Sequence, residues 1–479
     1  MASDTLAPPP PRRSASEQKA VRMIPFIVGC ALFMQMLDST VVATALPTMA
    51  QALDTTPVKM NVAITSYLLA LAVFVPISGW AADRFGARKV FVAAIVLFTV
   101  SSAACALAQS LPQLVVARTV QGTAGAMMVP VGRVLLLRMT PKAQLLRAMT
   151  FLSMPALLGP IVGPPLGGFL VDYASWHWIF LINIPVGALG VALVLRYIAP
   201  DIPEDSARLD WLGFILSGVG LAALVSGFES ISHDDVAGSH VLALLGTGLI
   251  CGLLYIWHAR RHDHPIVDLS LLKVRSFAIA TLGGNLCRLT VGASPFLLAM
   301  MLQVGFGMSA FSAGMITFSS AAGALLMKLV ATPVISRFGF KRVLVVNAVI
   351  AGVLVMVCGL FNAQTPIWIM IGVLVIGGLS RSLQFTAVNT LTYADLGSRE
   401  MSRASSFSSM MQQLAISLGV GGAALVLNLS MNLRGADHLE PVDTFWGFMV
   451  LGLMACLSMF SFLGLPGDVA QHLRSKGKG

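Results

Sequence analysis

Charged residues are scarce in this sequence. Only 11% of its 479 residues are Asp, Glu, Lys or Arg, whereas 56% are hydrophobic. Soluble globular proteins carry about 25% charged residues, so the composition excludes a protein of that class. It indicates a polytopic membrane protein instead.

Motifs for enzymatic chemistry are also lacking. No Gly-x-x-x-x-Gly-Lys-[Ser/Thr] phosphate loop occurs, which excludes direct energy supply from ATP through such a loop. The six cysteines are scattered over apolar segments without metal-ligand spacing. His258, His262 and His264 lie beside Arg260 and Arg261, and we interpret this cluster as a solvated basic face rather than a metal site. We predict no enzyme, no cofactor and no metal.

Long apolar runs recur along the whole chain. About fourteen of them reach the roughly 20 residues that an α-helix needs to cross the bilayer core. They lack the alternation of a membrane β-barrel. The predicted spans are residues 23–48, 60–82, 90–109, 112–137, 146–170, 176–196, 210–229, 240–258, 277–304, 310–334, 343–362, 366–391, 404–428 and 444–465. The sequence therefore predicts an all-α polytopic protein of the lipid bilayer.

The positions of Lys and Arg predict the orientation in the membrane. Cytoplasmic loops of membrane proteins collect these residues. If both termini are cytoplasmic, the loops on the opposite side hold only Lys59 and Arg434. We therefore expect a multi-pass protein of the bacterial inner membrane with both termini cytoplasmic. The net charge of +10 then reflects topology, and no nucleic-acid partner is expected.

Two loops repeat at long range. Residues 79–90 and 332–343 share the tripeptide Arg-Phe-Gly followed by basic residues. Each loop follows the second span of a set of six, and parallel repetition of six-helix halves is a known transporter architecture. The predicted organisation is a disordered tail (1–22), a six-helix bundle (23–196), a linker with two inserted helices (197–275), a second six-helix bundle (276–466) and a cytoplasmic tail (467–479).

The first loop resembles the signature of the major facilitator superfamily. Other segments resemble its drug:proton antiporter branch with fourteen spans: residues 116–126 are similar to the fourth-span motif, 155–168 to the fifth-span antiporter motif, and 176–187 to a typical sixth-span segment. Within that branch, residues 125–133 and the run around Arg288 resemble MdtD-like multidrug transporters. The resemblance covers nearly the full length. It implies a major facilitator fold, with two six-helix bundles plus two inserted helices.

Asp38 is the only carboxylate placed deep inside an apolar span. A charge at a helix centre costs roughly 2.5–3.5 kcal/mol on insertion scales, so an acid at that depth is a functional-site hypothesis. We predict that Asp38 takes up and releases the coupling proton. The resemblance implies that Arg118 is the proton-relay arginine. The alternative is a structural acid that is paired permanently with an arginine.

Deep cations outnumber this single deep acid. Arg133 and Lys328 lie toward the ends of their spans, where long side chains can reach the interface. Arg118, Arg288 and Arg381 lie deeper and should face a cavity or pair internally. The predicted substrate cavity is formed by Gln35, Gln121, Asn285, Arg288, Arg381, Gln384 and Asn389.

The first repeated loop is predicted to act as a cytoplasmic latch. Asp83 is expected on the same side of the membrane as the start of the thirteenth span. A carboxylate near a helix N-terminus is stabilised by unpaired N–H groups and by the helix dipole, so a contact there could hold the two halves together. The resemblance implies that this contact favours the outward-facing state. The second loop has Ser336 in the position of Asp83, so its latch should be weaker or absent. The predicted latch residues are Gly79, Asp83, Arg84, Gly86, Arg88 and Lys89.

The fifth span combines glycine and proline at four-residue spacing. Small residues permit close helix approach, and proline removes a backbone donor and bends a helix. The resemblance implies a hinge helix that seals one side of the cavity, and the alternative is close packing without gating. The predicted hinge residues are Pro155, Gly159, Pro160, Gly163, Pro164, Gly167 and Gly168.

These features predict a proton-coupled antiporter of the multidrug-efflux type, which exports small amphiphilic molecules across the bacterial inner membrane by alternating access. The excess of deep cations favours an alternative, export of a physiological carboxylate or an iron-chelate anion. A third hypothesis is a non-transporting membrane sensor or scaffold. The expected partners are the lipid bilayer, the substrate and protons, with the proton gradient as energy source. We expect a monomer.

Overall fold

The computed structural model describes residues 15–139, 145–200, 209–231, 237–262, 265–396, 401–436 and 438–466. Within these ranges the regular structure is helical, without β-strands. Helices are expected because a segment in hydrocarbon must satisfy its own backbone N–H and C=O groups. The predicted all-α fold is confirmed.

Fourteen helical spans follow one another along the described chain. Thirteen stretches are long and apolar enough to cross a membrane, and the fifth span adds a helix of 29 residues. In chain order the spans are Ala15–Ala52, Val62–Phe74 continued by Ser78–Phe85, Ala87–Ala106, Leu111–Met139, Leu145–Tyr173, Trp178–Leu181 continued by Asn183–Tyr197, Trp211–Ser230, Gly238–Ala259, Arg275–Ala299, Ala310–Phe338, Phe340–Cys358, Ile367–Tyr393, Met401–Arg434 and Pro441–Leu463.

The first six and the last six spans repeat one packing pattern. In the first set, the first span packs on the fifth and sixth, the fourth on the second and third, and the third on the sixth. In the last set, the ninth span packs on the thirteenth and fourteenth, the twelfth on the tenth and eleventh, and the eleventh on the fourteenth. Each span thus corresponds to the span eight places later. The pattern is typical of two parallel six-helix bundles, and the domain boundaries stay a prediction.

Two helix pairs form the main contacts between the bundles. The fifth span packs on the tenth, and the second packs on the thirteenth. The same shift of eight places relates these two pairs. The inserted seventh and eighth spans pack on each other, and the seventh also contacts the second and the thirteenth. The inserted pair therefore lies beside one of the two bundle interfaces.

The repeated Arg-Phe-Gly tripeptides share a backbone conformation. Gly86 separates the second and third spans with φ +90° and ψ 128°, and Gly339 separates the tenth and eleventh with φ +81° and ψ 154°. Side-chain-bearing L-residues rarely adopt such angles, whereas glycine does so without steric cost. The sequence repeat therefore reflects a chain reversal that both bundles need.

A Gly86→Ala substitution should destabilise the protein by about 1–3 kcal/mol, because alanine is strained at this backbone conformation. Thermal unfolding of the purified protein in detergent measures the effect. Gly79→Ala, in the helix Ser78–Phe85 that precedes this turn, is the control, since an added Cβ there has no neighbour within 4 Å. Equal unfolding temperatures for the two variants would contradict the proposed role of the glycine backbone.

Candidate functional site

A buried ion pair joins the first and fourth spans. Arg118 Nη1 donates to Asp38 Oδ2 at 2.6 Å. Only 2% of Asp38 and none of Arg118 is exposed. An unpaired charge at this depth would be costly, and the contact brings two opposite charges together. The two residues predicted for proton coupling are thus in direct contact.

Three further spans complete the polar network around this pair. Gln121 and Asn183 each donate to Asp38 Oδ1, at 3.0 and 3.1 Å. The same two amides donate to Ser102 Oγ at 2.7 and 3.1 Å. Arg118 also donates through Nε to the carbonyl of Ala63 at 3.0 Å and through Nη1 to Gln121 Oε1 at 2.6 Å. The first, second, third, fourth and sixth spans therefore meet in one polar network, in which the fourth and sixth spans donate to the Asp38 carboxylate.

Aromatic rings enclose the guanidinium group of Arg118. Its Cζ lies 4.3 Å from the ring centroid of Tyr67 and 5.8 Å from that of Phe180. Such contacts stabilise a cation through the ring quadrupole. Gln35 is buried in the same bundle. Gln35 and Tyr67 both lie next to the side of Gly125 on which another residue would carry its Cβ. The predicted cavity residue Gln35 therefore lies beside the ion-pair network.

Several members of this network were not predicted. Asn183 lies in the sixth-span segment that carries the family resemblance, so its position was a usable signal. Tyr67 and Ser102 lie in apolar spans, where nothing in the local sequence separates them from packing residues. Their role follows only from the way the spans converge.

The glycines of the fifth span pack on the part of the first span that carries Asp38. A Cβ at Gly159 would lie 2.6 Å from Met36 Cβ, and one at Gly163 would overlap the side chain of Thr40. Thr40 Oγ1 contacts the carbonyl of Gly159 at 3.4 Å. The two helix backbones are therefore in close contact at this level, as the small residues permit.

The other predicted hinge residues divide between two neighbours. A Cβ at Gly167 would meet Val41 of the first span at 3.0 Å, whereas one at Gly168 would overlap the backbone of Ala310 in the tenth. The carbonyl of Pro164 lies against Gly314, also in the tenth span. The side chains of Pro155 and Pro160 lie outside the described part of the structure. The hinge function itself stays a prediction.

The fifth span ends in a contact between the bundles. Asp172 accepts hydrogen bonds from the backbone N–H groups of Ala310 and Phe311 at 3.3 and 2.8 Å. These groups belong to the first turn of the tenth span, where the helix dipole favours a negative charge. Nearby, Gln303 Nε2 donates to the carbonyl of Thr44 at 2.8 Å. We call this end of the molecule the Asp172 end.

The predicted latch loop lies at the turn between the second and third spans. Asp83 is half-buried, and Arg84 and Lys89 are exposed. Arg88 Nη2 donates to the carbonyl of Leu195, in the last turn of the sixth span, at 3.0 Å. The start of the thirteenth span, which was predicted to contact Asp83, lies partly outside the described residues. The latch therefore stays a prediction.

A second polar cluster lies in the C-terminal bundle. Arg288 donates to Asn389 Oδ1 at 2.6 Å and to Asn285 Oδ1 at 3.3 Å. The ring centroid of Phe385 lies 5.9 Å from the Arg288 guanidinium and 5.9 Å from Lys328 Nζ. No carboxylate among the described residues forms an ion pair with either cation. Two cations thus flank one aromatic ring.

The remaining predicted cavity residues lie in separate contacts. Arg381 donates to Ser320 Oγ of the tenth span at 3.2 Å. Gln384 accepts from Asn347 at 2.8 Å and donates to the carbonyl of Leu344 at 3.3 Å, both in the eleventh span. Gln384 Nε2 also donates to Cys287 Sγ of the ninth span at 3.6 Å. The structure therefore joins Asn285, Arg288 and Asn389, whereas Gln384 contacts the eleventh span and Cys287, the residue before Arg288.

The two bundles carry different charges at matching positions. The fourth-span pattern Arg118-x-x-Gln121 recurs in the twelfth span as Arg381-x-x-Gln384. The first-span pattern Gln-x-x-Asp38 recurs in the ninth as Asn-x-x-Arg288. In this sequence pattern Arg288 stands where the first span has Asp38. The side chain that contacts the twelfth and fourteenth spans, as Asp38 contacts the fourth and sixth, is Cys287, which lies 3.6 Å from Gln384 Nε2 and 3.0 Å from Ser458 Oγ. Among the described residues, Arg381 has no carboxylate in an ion pair.

Comparison with known families identifies the class of protein. The sequence model of the Major Facilitator Superfamily matches residues 28–419 and 276–479. The chain therefore belongs to the major facilitator superfamily, and it is a membrane transporter rather than an enzyme. The resemblance inferred from the sequence is confirmed.

Individual relatives narrow the comparison. The chain is 39% identical to MdtD of Cronobacter sakazakii over 455 residues, covering 94% of this chain and 96% of that protein. It is 40% identical to MdtD of Pectobacterium atrosepticum over 459 residues, covering 95% and 98%. The names of both relatives assign them to multidrug resistance. The predicted similarity to MdtD-like proteins is confirmed.

Solved structures show the same fold. An auto-inhibited peptide transporter of the POT family superposes with a TM-score of 0.68 at 15% identity, covering 95% of this chain and 97% of the other. A POT family transporter in complex with 5-aminolevulinic acid gives a TM-score of 0.69 at 16% identity, covering 93% and 95%. At this identity the likeness establishes the fold alone.

Removing one partner of the buried ion pair should cost more stability than removing both. Arg118→Met leaves Asp38 buried without its cation, and such losses are about 3–5 kcal/mol. The double variant with Asp38→Asn removes the uncompensated charge. A double-mutant cycle on unfolding in detergent measures the coupling between the sites. Additive losses would show that the pair contributes no net coupling.

Asp172→Asn should increase the fraction of molecules in which the fifth and tenth spans are separated at the Asp172 end. The amide removes the negative charge that faces the dipole of the tenth span. Such interactions are worth about 0.3–2 kcal/mol, so the open population should rise by up to about thirtyfold. The readout is maleimide labelling of Ala313→Cys, a buried position near this contact, in a chain whose native cysteines are replaced. Asp54→Asn, at an exposed acid, is the control. Unchanged labelling would contradict a closing role for Asp172.

Proposed function

We propose that this protein is a proton-coupled antiporter of the multidrug-efflux type, which exports small amphiphilic molecules across the bacterial inner membrane. One observation carries the proposal: the ion pair of Asp38 and Arg118 lies buried where five spans of the N-terminal bundle converge. The multidrug-resistance names of the MdtD relatives support the substrate class.

The network provides a route from protonation to movement. Three side chains donate to Asp38: Arg118, Gln121 and Asn183. A proton on either carboxylate oxygen displaces one of these donors, so uptake of a proton changes the contacts among the first, fourth and sixth spans. Release of Arg118 from its partner would be the signal that links proton binding to motion of the helices.

The fifth span can transmit this change to the bundle interface. Its glycines pack on the first span beside Asp38, and its last residues contact the tenth span. A shift of the first span is therefore passed on through close backbone contact rather than through flexible side chains. In our proposal the outer proton neutralises Asp38 while substrate leaves, and the bundles then rock and release the proton to the cytoplasm. Both termini are cytoplasmic, and the working unit is a monomer without a cofactor.

A second candidate function is export of a physiological carboxylate or an iron-chelate anion. The observation that favours it is the inverted charge of the C-terminal bundle, where Arg288 takes the position that matches Asp38. Arginine binds carboxylates through two parallel hydrogen bonds. No carboxylate among the described residues pairs with Arg288 or Lys328. An anionic substrate would supply the missing negative charge. The other alternative, a non-transporting sensor or scaffold, requires ligand binding without transport.

Proton movement in respiring everted membrane vesicles tests these functions. Addition of a lipophilic cation should release protons from vesicles with the wild-type protein. Asp38→Asn should abolish this proton release while retaining energy-independent exchange of labelled substrate, because exchange needs no net protonation. Retained exchange also shows that the variant is folded. Proton release that persists in Asp38→Asn would refute a coupling role for this residue.

The same vesicles separate the candidate substrates. If the substrate is anionic, citrate-type anions should release protons, and Arg288→Gln should reduce the initial rate by at least about tenfold, as expected when a charge-assisted contact of about 1.5–3 kcal/mol is lost. Arg133→Gln removes an exposed cation and is the matched control. Release by lipophilic cations alone supports the multidrug function. Binding of either class without exchange would support the sensor.

A further inference from the structure

The inserted helix pair carries a cluster of side chains of the types that coordinate metal ions, and the proposed transport mechanism does not use them. Asp210 directly precedes the seventh span, and His258 and His262 lie at the end of the eighth. One ligand atom of each residue lies within 4.8 Å of those of the other two. The sequence showed the histidines only in a basic loop. The fold adds a buried carboxylate to them.

Asp210 is held in place by the backbone. Its Oδ1 accepts the N–H of Gly213 at 2.8 Å, in the first turn of the seventh span, and its Oδ2 accepts the N–H of Ile266 at 3.3 Å. Burial raises the pKa of Asp210, but the hydrogen bonds from Gly213, His258 and Ile266 bring it below its usual value. Outer hydrogen bonds of this kind orient metal ligands.

The two histidines present their rings on one side of the eighth span. The N–H of His262 donates to the carbonyl of His258 at 3.1 Å, which continues the helical turn. Residues four apart share a helix face, and the ring centroids lie 5.1 Å apart. His258 Nε2 is 2.7 Å from Asp210 Oδ1. His262 is exposed, so the cluster is open to solutes from the surrounding water.

The neighbouring arginines do not occupy the cluster. The guanidinium carbon of Arg261 lies 4.2 Å from the ring centroid of Trp257, which holds this cation over the indole. Arg260 is exposed to solvent. Both cations can therefore stay in water or on an aromatic face while a positively charged ligand occupies the space between the imidazoles and the carboxylate.

We propose that Asp210, His258 and His262 bind a divalent first-row transition metal ion such as Zn²⁺ or Co²⁺. Two imidazole nitrogens and one carboxylate oxygen form a donor set that suits these ions, and water completes the coordination. The ion would replace the direct contact between His258 and Asp210 and would recruit the exposed ring of His262 by a small rotation.

Metal binding would stabilise the segment between the eighth and ninth spans. Asp210 already holds Ile266, and Tyr255 Oη bridges the N–H and the carbonyl of Val267 at 2.9 and 2.8 Å. The next residue, Asp268, pairs with Arg403 of the thirteenth span at 2.8 Å. The segment between the eighth and ninth spans is thereby linked to both the inserted pair and the C-terminal bundle. An ion at Asp210 would stabilise this linkage.

Titration of the full-length protein with Co²⁺ tests the site. The protein is purified in detergent through a tag without histidines, stripped with EDTA, and followed by visible absorption and by thermal unfolding. We expect one Co²⁺ per chain, displaced by Zn²⁺, and a rise in unfolding temperature. His262→Ala should weaken Co²⁺ binding by at least about tenfold. In this variant, adding Co²⁺ should no longer raise the unfolding temperature above that of the same variant without metal.

Two further variants locate the ion. His240→Ala, at an exposed position near the start of the eighth span, should bind as the wild type does. Asp210→Asn keeps a capping side chain for the seventh span but removes the charge, and it should also weaken binding. Absence of saturable binding by the wild type would overturn the proposal. So would binding that His262→Ala leaves intact, because the ion would then be held elsewhere.

Discussion

The constraint on which this structure depends is the cost of placing a charge among apolar helices. Asp38 and Arg118 satisfy it by pairing, and Gln121, Asn183 and Ser102 occupy the remaining hydrogen-bonding positions around them. An ionised carboxylate alone at this depth would be unfavourable by several kcal/mol. The polar network therefore decides how the spans of the N-terminal bundle converge. In the mechanism that we propose, one proton on Asp38 would change these contacts.

Close backbone packing is the second determinant of the architecture. The fifth span lies against the first through Gly159, Gly163 and Gly167, and against the tenth through Gly168. Hydrocarbon provides little driving force for the association of apolar helices, so dispersion contacts at short distance must hold them together. The same helix thus touches both the ion-pair region and the opposite bundle. This geometry suits a transporter in which chemistry at one residue must move a whole bundle.

The two bundles share a fold but differ in electrostatics. Their helix pairs match, and the turns at Gly86 and Gly339 share a positive φ. The N-terminal bundle neutralises its deep arginine with an internal acid, whereas the C-terminal bundle has Arg288 at the matching position. Parallel repetition of six-helix halves is typical of this fold. The bundles therefore differ in charge at these positions, and our proposal assigns proton exchange to the N-terminal bundle.

The sequence by itself determined the membrane class, the spans and the repeated halves. These follow from local properties: the length of an apolar run, the positions of Lys and Arg, and the repeated Arg-Phe-Gly turn. It also singled out Asp38 and Arg118, because a deep charge is unusual wherever it occurs. Only the tertiary structure joined them to Ser102 and Asn183, separated Gln384 from Arg288, and brought Asp210 to the two histidines. Those contacts connect different helices, and their relative rotation and depth are set by packing over the whole bundle, which no local pattern encodes.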